Sequence, residues 1–205
     1  MNLAHEIYRK SLHLLLILIP MAYLHFGKWQ TLIVLAPIAI TVISLDYLRR
    51  KSPKIKMIFG KIFGTVLRDH EQSGDKLCGA SFVALAACIN FYLFEPAIAV
   101  TSFMILVICD TAASLVGKSI VSQPFFEKST AGSAAFFISA ILVLISCAIY
   151  FDAKFWFYAF GLFAVFCVTM IEARPSLLKI DDNFSIPIIF SAVMTFFDII
   201  WNYNY

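Results

Sequence analysis

Asp110 lies fourteen residues into an apolar stretch that opens at Pro96, which at 1.5 Å of rise per residue sets it roughly 20 Å along a helix. An ionisable side chain at such a place is costly and marks a site more often than a structural accident. Thr111, Ala112, Ala113, Ser114 and Gly117 follow it, small enough to let a backbone or a ligand come close. A basic pair, Arg9-Lys10, precedes another apolar stretch, with His13 one turn beyond Arg9 on the same face. Lys128-Ser129-Thr130-Ala131-Gly132-Ser133 puts a cation, hydroxyls and glycine at the start of a further one. That combination suits a phosphate held by free backbone N–H groups and the helix dipole. Glu172, Asp181, Asp182 and Asn183 supply hard oxygen ligands of the kind magnesium takes. Arg68, Glu71 and Lys76 form a charged group ahead of Gly79-Ala80-Ser81, a second helix start able to hold an anion. Gly117-Lys118-Ser119 mimics the end of a P-loop, but Ala112 replaces its first glycine and an apolar span replaces its strand.

These residues need a scaffold that a soluble fold cannot provide. Of 205 residues, 61% are hydrophobic and 14% charged, with a mean hydropathy of +0.86, too little polar surface to clothe a water-soluble domain. The pattern predicts an all-α polytopic integral membrane protein with about seven spans, near residues 11–26, 31–48, 77–94, 96–117, 131–151, 155–171 and 184–201. The first span could pass for a signal peptide, but six more follow it and no small-residue cleavage site is evident, so it is read as retained. Residues 54–68 read as a basic interfacial helix, with Ile55, Ile58, Phe59, Ile62, Phe63 and Val66 at helical spacing. No linker, repeat or low-complexity tract divides the chain, so residues 1–205 are read as one domain.

Alternating the connections assigns fourteen of the sixteen Lys and Arg residues to one side and only Lys28 and Lys154 to the other. Positively charged loops stay in the cytoplasm, so the N-terminus and every group above are expected at the cytoplasmic face. The small size suits a bacterial inner membrane. The five cysteines fall in apolar stretches without CxxC spacing, which argues against disulfides and a zinc site. The small net charge of +3 gives no support to nucleic-acid binding.

Taken together, Arg9-Lys10-Ser11-Leu12-His13, Gly79-Ala80, the Asp110 to Gly117 segment, Lys128-Ser129 with Gly132-Ser133, and Asp181-Asp182-Asn183 through Pro187 resemble the polyprenol kinase family. That family embraces dolichol, phytol and farnesol kinases and CTP-dependent diacylglycerol kinase. The resemblance implies transfer of the terminal phosphate of a nucleotide, typically CTP, to a lipid alcohol with a divalent cation such as Mg2+. It implies roles for Arg9, Lys10, Asp110, Gly117 and Lys128. Within that scheme Arg9, Lys10 and Lys128 hold the triphosphate, Asp110 with Asp181 or Asp182 binds magnesium, and Asp110 or His13 accepts the proton of the alcohol. Cys109 before the aspartate and Thr130-Ala131 depart from the family's usual residues, which bears on the lipid more than on the reaction. The alternatives are a CTP-dependent phosphatidate cytidylyltransferase, which uses the same nucleotide and metal, and a small membrane transporter, whose site would lie near the midplane between repeats.

Overall fold

The computed structural model describes residues 3–64, 67 and 77–201. Its helices are α1 (Leu3–Leu14), α2 (Leu18–Phe26), α3 (Lys28–Lys51), α4 (Pro53–Phe63), α5 (Gly79–Leu93), α6 (Pro96–Met104), α7 (Asp110–Ser119), α8 (Thr130–Tyr150), α9 (Phe155–Ala173) and α10 (Asp182–Trp201). A 3-10 turn joins α1 to α2, and a π-helical segment, Ile105–Cys109, joins α6 to α7. Among the described residues six continuous helical stretches are long and apolar enough to cross a membrane: His5–Phe26, Lys28–Lys51, Pro96–Ser119, Thr130–Tyr150, Phe155–Ala173 and Asp182–Trp201. The third expected span is the shorter apolar helix α5, whose 15 residues reach roughly 22 Å against a hydrocarbon core of about 30 Å. The chain is therefore an all-α polytopic membrane protein; among the described residues the only ladder is a two-residue antiparallel one between β1 (Pro124–Phe125) and β2 (Lys128–Ser129).

The first span starts earlier than the hydropathy pattern indicates. Arg9 and Lys10 lie inside α1 rather than ahead of it, because their charges meet acids on the same protein instead of water. The basic interfacial helix is α4; it ends at Phe63, so the expected stretch to residue 68 is only partly covered. Phe59 is buried against the Arg49 guanidinium, 4.7 Å from its ring centre, while Met57 and Ile58 point outward beside the lysines. That arrangement matches a helix lying at a membrane surface.

The helix from Pro96 to Ser119 is the spine. Its first half, α6, packs against α5, α8 and α10, whereas α7 packs chiefly against α8 and α1. The change of neighbours occurs at the π segment, where a wider turn rotates the residues that follow. Asp110 is the first residue after it. At α6, Asn90 is fully buried and joins three helices: its amide donates to the Ala99 carbonyl (2.8 Å), and its oxygen accepts from Ser102 (3.1 Å) and Ser191 (2.7 Å). Hydrogen bonds between membrane helices act as glue in this way.

Asn90→Ala is expected to lower the unfolding midpoint in detergent, by an amount equivalent to about 1–3 kcal/mol, because two hydroxyls and a carbonyl each lose one hydrogen bond, while Ser102 keeps those it makes with Ala99 and Ser191. An unchanged midpoint would show that this cluster does not hold the three helices together.

Candidate active site

A cavity of about 1140 Å³ opens where α7 turns away from α5 and α10. Its walls carry Glu6, Arg9 and Lys10 from α1, Asp110, Ser114, Gly117 and Lys118 from α7, Lys128 and Ser129 from β2, Glu172 from α9, and Asp181 and Asp182 at the start of α10. Groups more than a hundred residues apart in the chain thus share one space. Asp110 is 4% exposed and pairs with Lys10, itself 3% exposed. His13 Nε2 stands 3.7 Å from the same Asp110 oxygen and is buried with no hydrogen-bond partner among the described residues. His13 is not among the residues lining the cavity; it backs Asp110 from behind.

Lys128 faces Asp110 from the other wall. The hairpin that carries it is tied down through Glu127, whose N–H donates to the Ala173 carbonyl (3.0 Å) and whose carboxylate accepts from the Ser176 hydroxyl and N–H. Lys128 Nζ lies 3.1 Å from Glu172 and 3.9 Å from Asp182. Burial works against its charge, but the carboxylates of Glu172, Asp182 and Asp110 outweigh that and hold the ammonium above the ordinary lysine range.

The two helix starts expected to receive an anion are both filled from within. At α5 the anion is Asp46, fully buried on α3, which accepts from the Cys78 N–H (2.7 Å), the Ser81 hydroxyl (2.7 Å) and Arg49 Nε (2.5 Å). At α8 the N–H groups of Thr130, Ala131 and Gly132 donate to the Gln123 carbonyl (2.9 Å), the Ser122 hydroxyl (3.0 Å) and the Ser129 hydroxyl (3.1 Å). Ser129 is an N-cap, and Lys128 is what that motif turns toward the cavity. The buried Ser133 hydroxyl has no hydrogen-bond partner among the described residues and does not line the cavity. Arg68, Glu71 and Lys76 lie outside the described residues.

Gly117 and Gly132 line the cavity but also let α7 and α8 touch. A Cβ on Gly132 would come within 3.0 Å of the Ala113 carbonyl and of Ser129 Oγ, and one on Gly117 within 2.9 Å of Ser129 Oγ. Asn183 is buried and donates to Asp181 through its N–H (3.0 Å) and side-chain amide (2.8 Å), so it supports the acid without reaching the cavity.

Among the described residues no three His, Cys, Asp or Glu side chains form a ready-made metal cage. Magnesium does not demand one, since it keeps water and takes one or two carboxylates together with phosphate oxygens. Asp110 and Asp182 are close enough to act on each other electrostatically, and Glu172 Oε2 is buried with no hydrogen-bond partner among the described residues. This donor set fits magnesium arriving with a polyphosphate. The sequence offers Glu6 only as an i,i+4 partner for Lys10, and its reading passed over Asp46 and Asn90. Each is a polar residue within or beside an apolar run, the same signal that exposed Asp110.

No protein-family model matches the chain, and no solved structure matches it. Among curated proteins it is 33% identical over 192 residues to Uncharacterized protein RP860 of Rickettsia prowazekii, across 92% of this chain and 93% of that one. The chain belongs to that protein's family. Another relative of this family member is Uncharacterized protein MJ1137 of Methanocaldococcus jannaschii, 28% identical over 193 residues and 92% of each chain. CTP-dependent diacylglycerol kinase 1 of Eremothecium gossypii is 25% identical over 177 residues, 75% of this chain and 54% of that longer protein. The similarity to the diacylglycerol kinase is weak, and it points toward lipid kinases.

Gly132→Ala is expected to force α8 off α7 at a cost of about 1–3 kcal/mol, displacing Lys128 relative to Asp110. The midpoint of thermal unfolding in detergent should fall. Gly60→Ala, where a Cβ meets nothing within 4 Å, should leave it unchanged or slightly raised. Equal midpoints for the two variants would contradict this reading of the helix contact.

Proposed function

We propose that the cavity is the active site of a membrane-embedded kinase that moves the γ-phosphate of a nucleotide, CTP in the first instance, to the hydroxyl of a lipid alcohol. The observation that carries this reading is Asp110: a carboxylate inside a membrane helix that nevertheless lines an open cavity, between the cations Lys10 and Lys128. Phosphoryl transfer asks a protein mainly for positioning and for stabilisation of spread negative charge, and cations set among carboxylates meet both needs. Ligand pockets commonly fall at about 300–1,000 Å³, so this one has room for a nucleotide and the head of a lipid.

In this scheme Arg9, Lys10 and Lys128 grip the triphosphate. Lys10 and Lys128 shift charge from their carboxylate partners to phosphate oxygens as the nucleotide enters. Asp110 is then free to take the hydroxyl proton, and His13, behind it, holds its orientation. The alcohol oxygen bonds to the γ-phosphorus, the bond from that phosphorus to the bridging oxygen breaks, and its electron pair leaves on the nucleoside diphosphate. Magnesium would be held by Asp110 and Asp182, with Asp181 and Asn183 alongside, and would supply neutralisation of phosphate charge. Ser129 and Gly132 contribute by holding Lys128 in register with α7.

Weak similarity to a CTP-dependent diacylglycerol kinase supports CTP and a lipid acceptor. The polyprenol kinase resemblance widens the acceptor to polyprenols, dolichol, phytol and farnesol. We take the cavity's face as cytoplasmic because alternating the expected spans assigns fourteen of the sixteen Lys and Arg residues to that side, and the membrane as a bacterial inner one because the chain is small.

The test is phosphorylation of a panel of lipid alcohols by the detergent-purified protein with CTP and magnesium. Asp110→Asn should cut turnover by roughly a hundredfold or more, while Lys128→Met should mainly raise the nucleotide KM. Turnover by Asp110→Asn close to that of the unaltered protein would end this assignment.

A further inference from the structure

Lys118, in the false P-loop at the end of α7, reaches the cavity. It and Ser114, one turn apart on one face, both donate to Glu6 on α1, Lys118 Nζ at 2.7 Å from Glu6 Oε2. Arg9 Nη2 donates to the other oxygen of Glu6 at 2.6 Å. Glu6 is fully buried, so its charge must be compensated where it stands. Lys10 and Lys128 are each balanced by facing carboxylates. Among the described residues, Arg9 and Lys118 share a single one. The half-buried part of the wall therefore has its surplus positive charge here, with Lys118 still 39% exposed and Arg9 Nε buried without a hydrogen-bond partner among the described residues. Arg50 and Lys179 also line the cavity and are exposed as Lys118 is, but the buried Glu6 holds Lys118 and Arg9, not them.

We infer that Lys118 is a further phosphate-binding residue of this cavity, and that Glu6 is a positioning residue that holds Lys118 and Arg9 as a pair for a polyphosphate. The inference rests on the proposed nucleotide site. Glu6 fixes two long, flexible cations that would otherwise lose conformational freedom on binding, and it competes with the incoming anion for the same donors.

The experiment measures binding of inorganic tripolyphosphate to the full chain in a neutral maltoside detergent, alongside lipid phosphorylation. Lys118→Met should weaken tripolyphosphate binding by about tenfold or more, the scale of one lost charge-assisted hydrogen bond, and Lys118→Arg should retain most of it. Glu6→Gln should bind tripolyphosphate no more weakly than the unaltered protein while its kcat falls. Unchanged binding by Lys118→Met would overturn the proposal. So would loss of binding in Glu6→Gln matched by a lower unfolding midpoint, since Glu6 would then be only a structural tie. Displacement of tripolyphosphate by equimolar phosphatidylglycerol would assign the site to a lipid headgroup and overturn it as well. Lys118-dependent binding by a protein that phosphorylates no lipid would leave this inference standing and remove the kinase reading.

Discussion

Isolated in hydrocarbon, the Asp110 carboxylate would cost several kcal/mol, and its pairing with Lys10 is what makes it tolerable. A buried ion pair of this kind rarely stabilises a fold more than apolar residues of similar volume would, so stability is a poor reason for keeping it. To make the pair, α1 must carry its charges into the protein and lie along α7. The π segment must turn the spine so that Asp110 faces α1 and an open space rather than the packed α5–α10 side.

The second wall answers the first. Lys128 reaches Glu172 and Asp182 only because the hairpin is clamped to the end of α9 and because Gly117 and Gly132 let α7 and α8 come into contact. Near the other end of the spine the Asn90 cluster closes α5, α6 and α10 together. The protein is thus tightly joined at one end of the spine and splayed at the other. A cavity lined by paired charges is the result.

Much of this could be read in the sequence, for a simple reason. In an apolar chain every charged residue is conspicuous, so Asp110, Lys10, Lys128, Glu172 and Asp182 stood out, and alternating spans put them on one side. Six full-length spans and the short α5 follow the hydropathy. What escaped notice depends on contacts between distant segments. Glu6 invites an i,i+4 pair with Lys10, yet it bonds Arg9, Ser114 and Lys118. The starts of α5 and α8 look open to phosphate, yet Asp46 on another helix and the Ser122-Gln123 turn occupy them. Periodicity cannot report a π turn either, since no residue type demands one.

The central claim is that this cavity carries phosphate, and not a nucleotidyl group or a transported solute, to a lipid. Supplying the purified protein with CTP labelled at the α or at the γ phosphate, in detergent with a lipid alcohol, separates these outcomes directly. The account predicts that only the γ label enters lipid. Entry of the α label, or of neither across the acceptor panel, would contradict it.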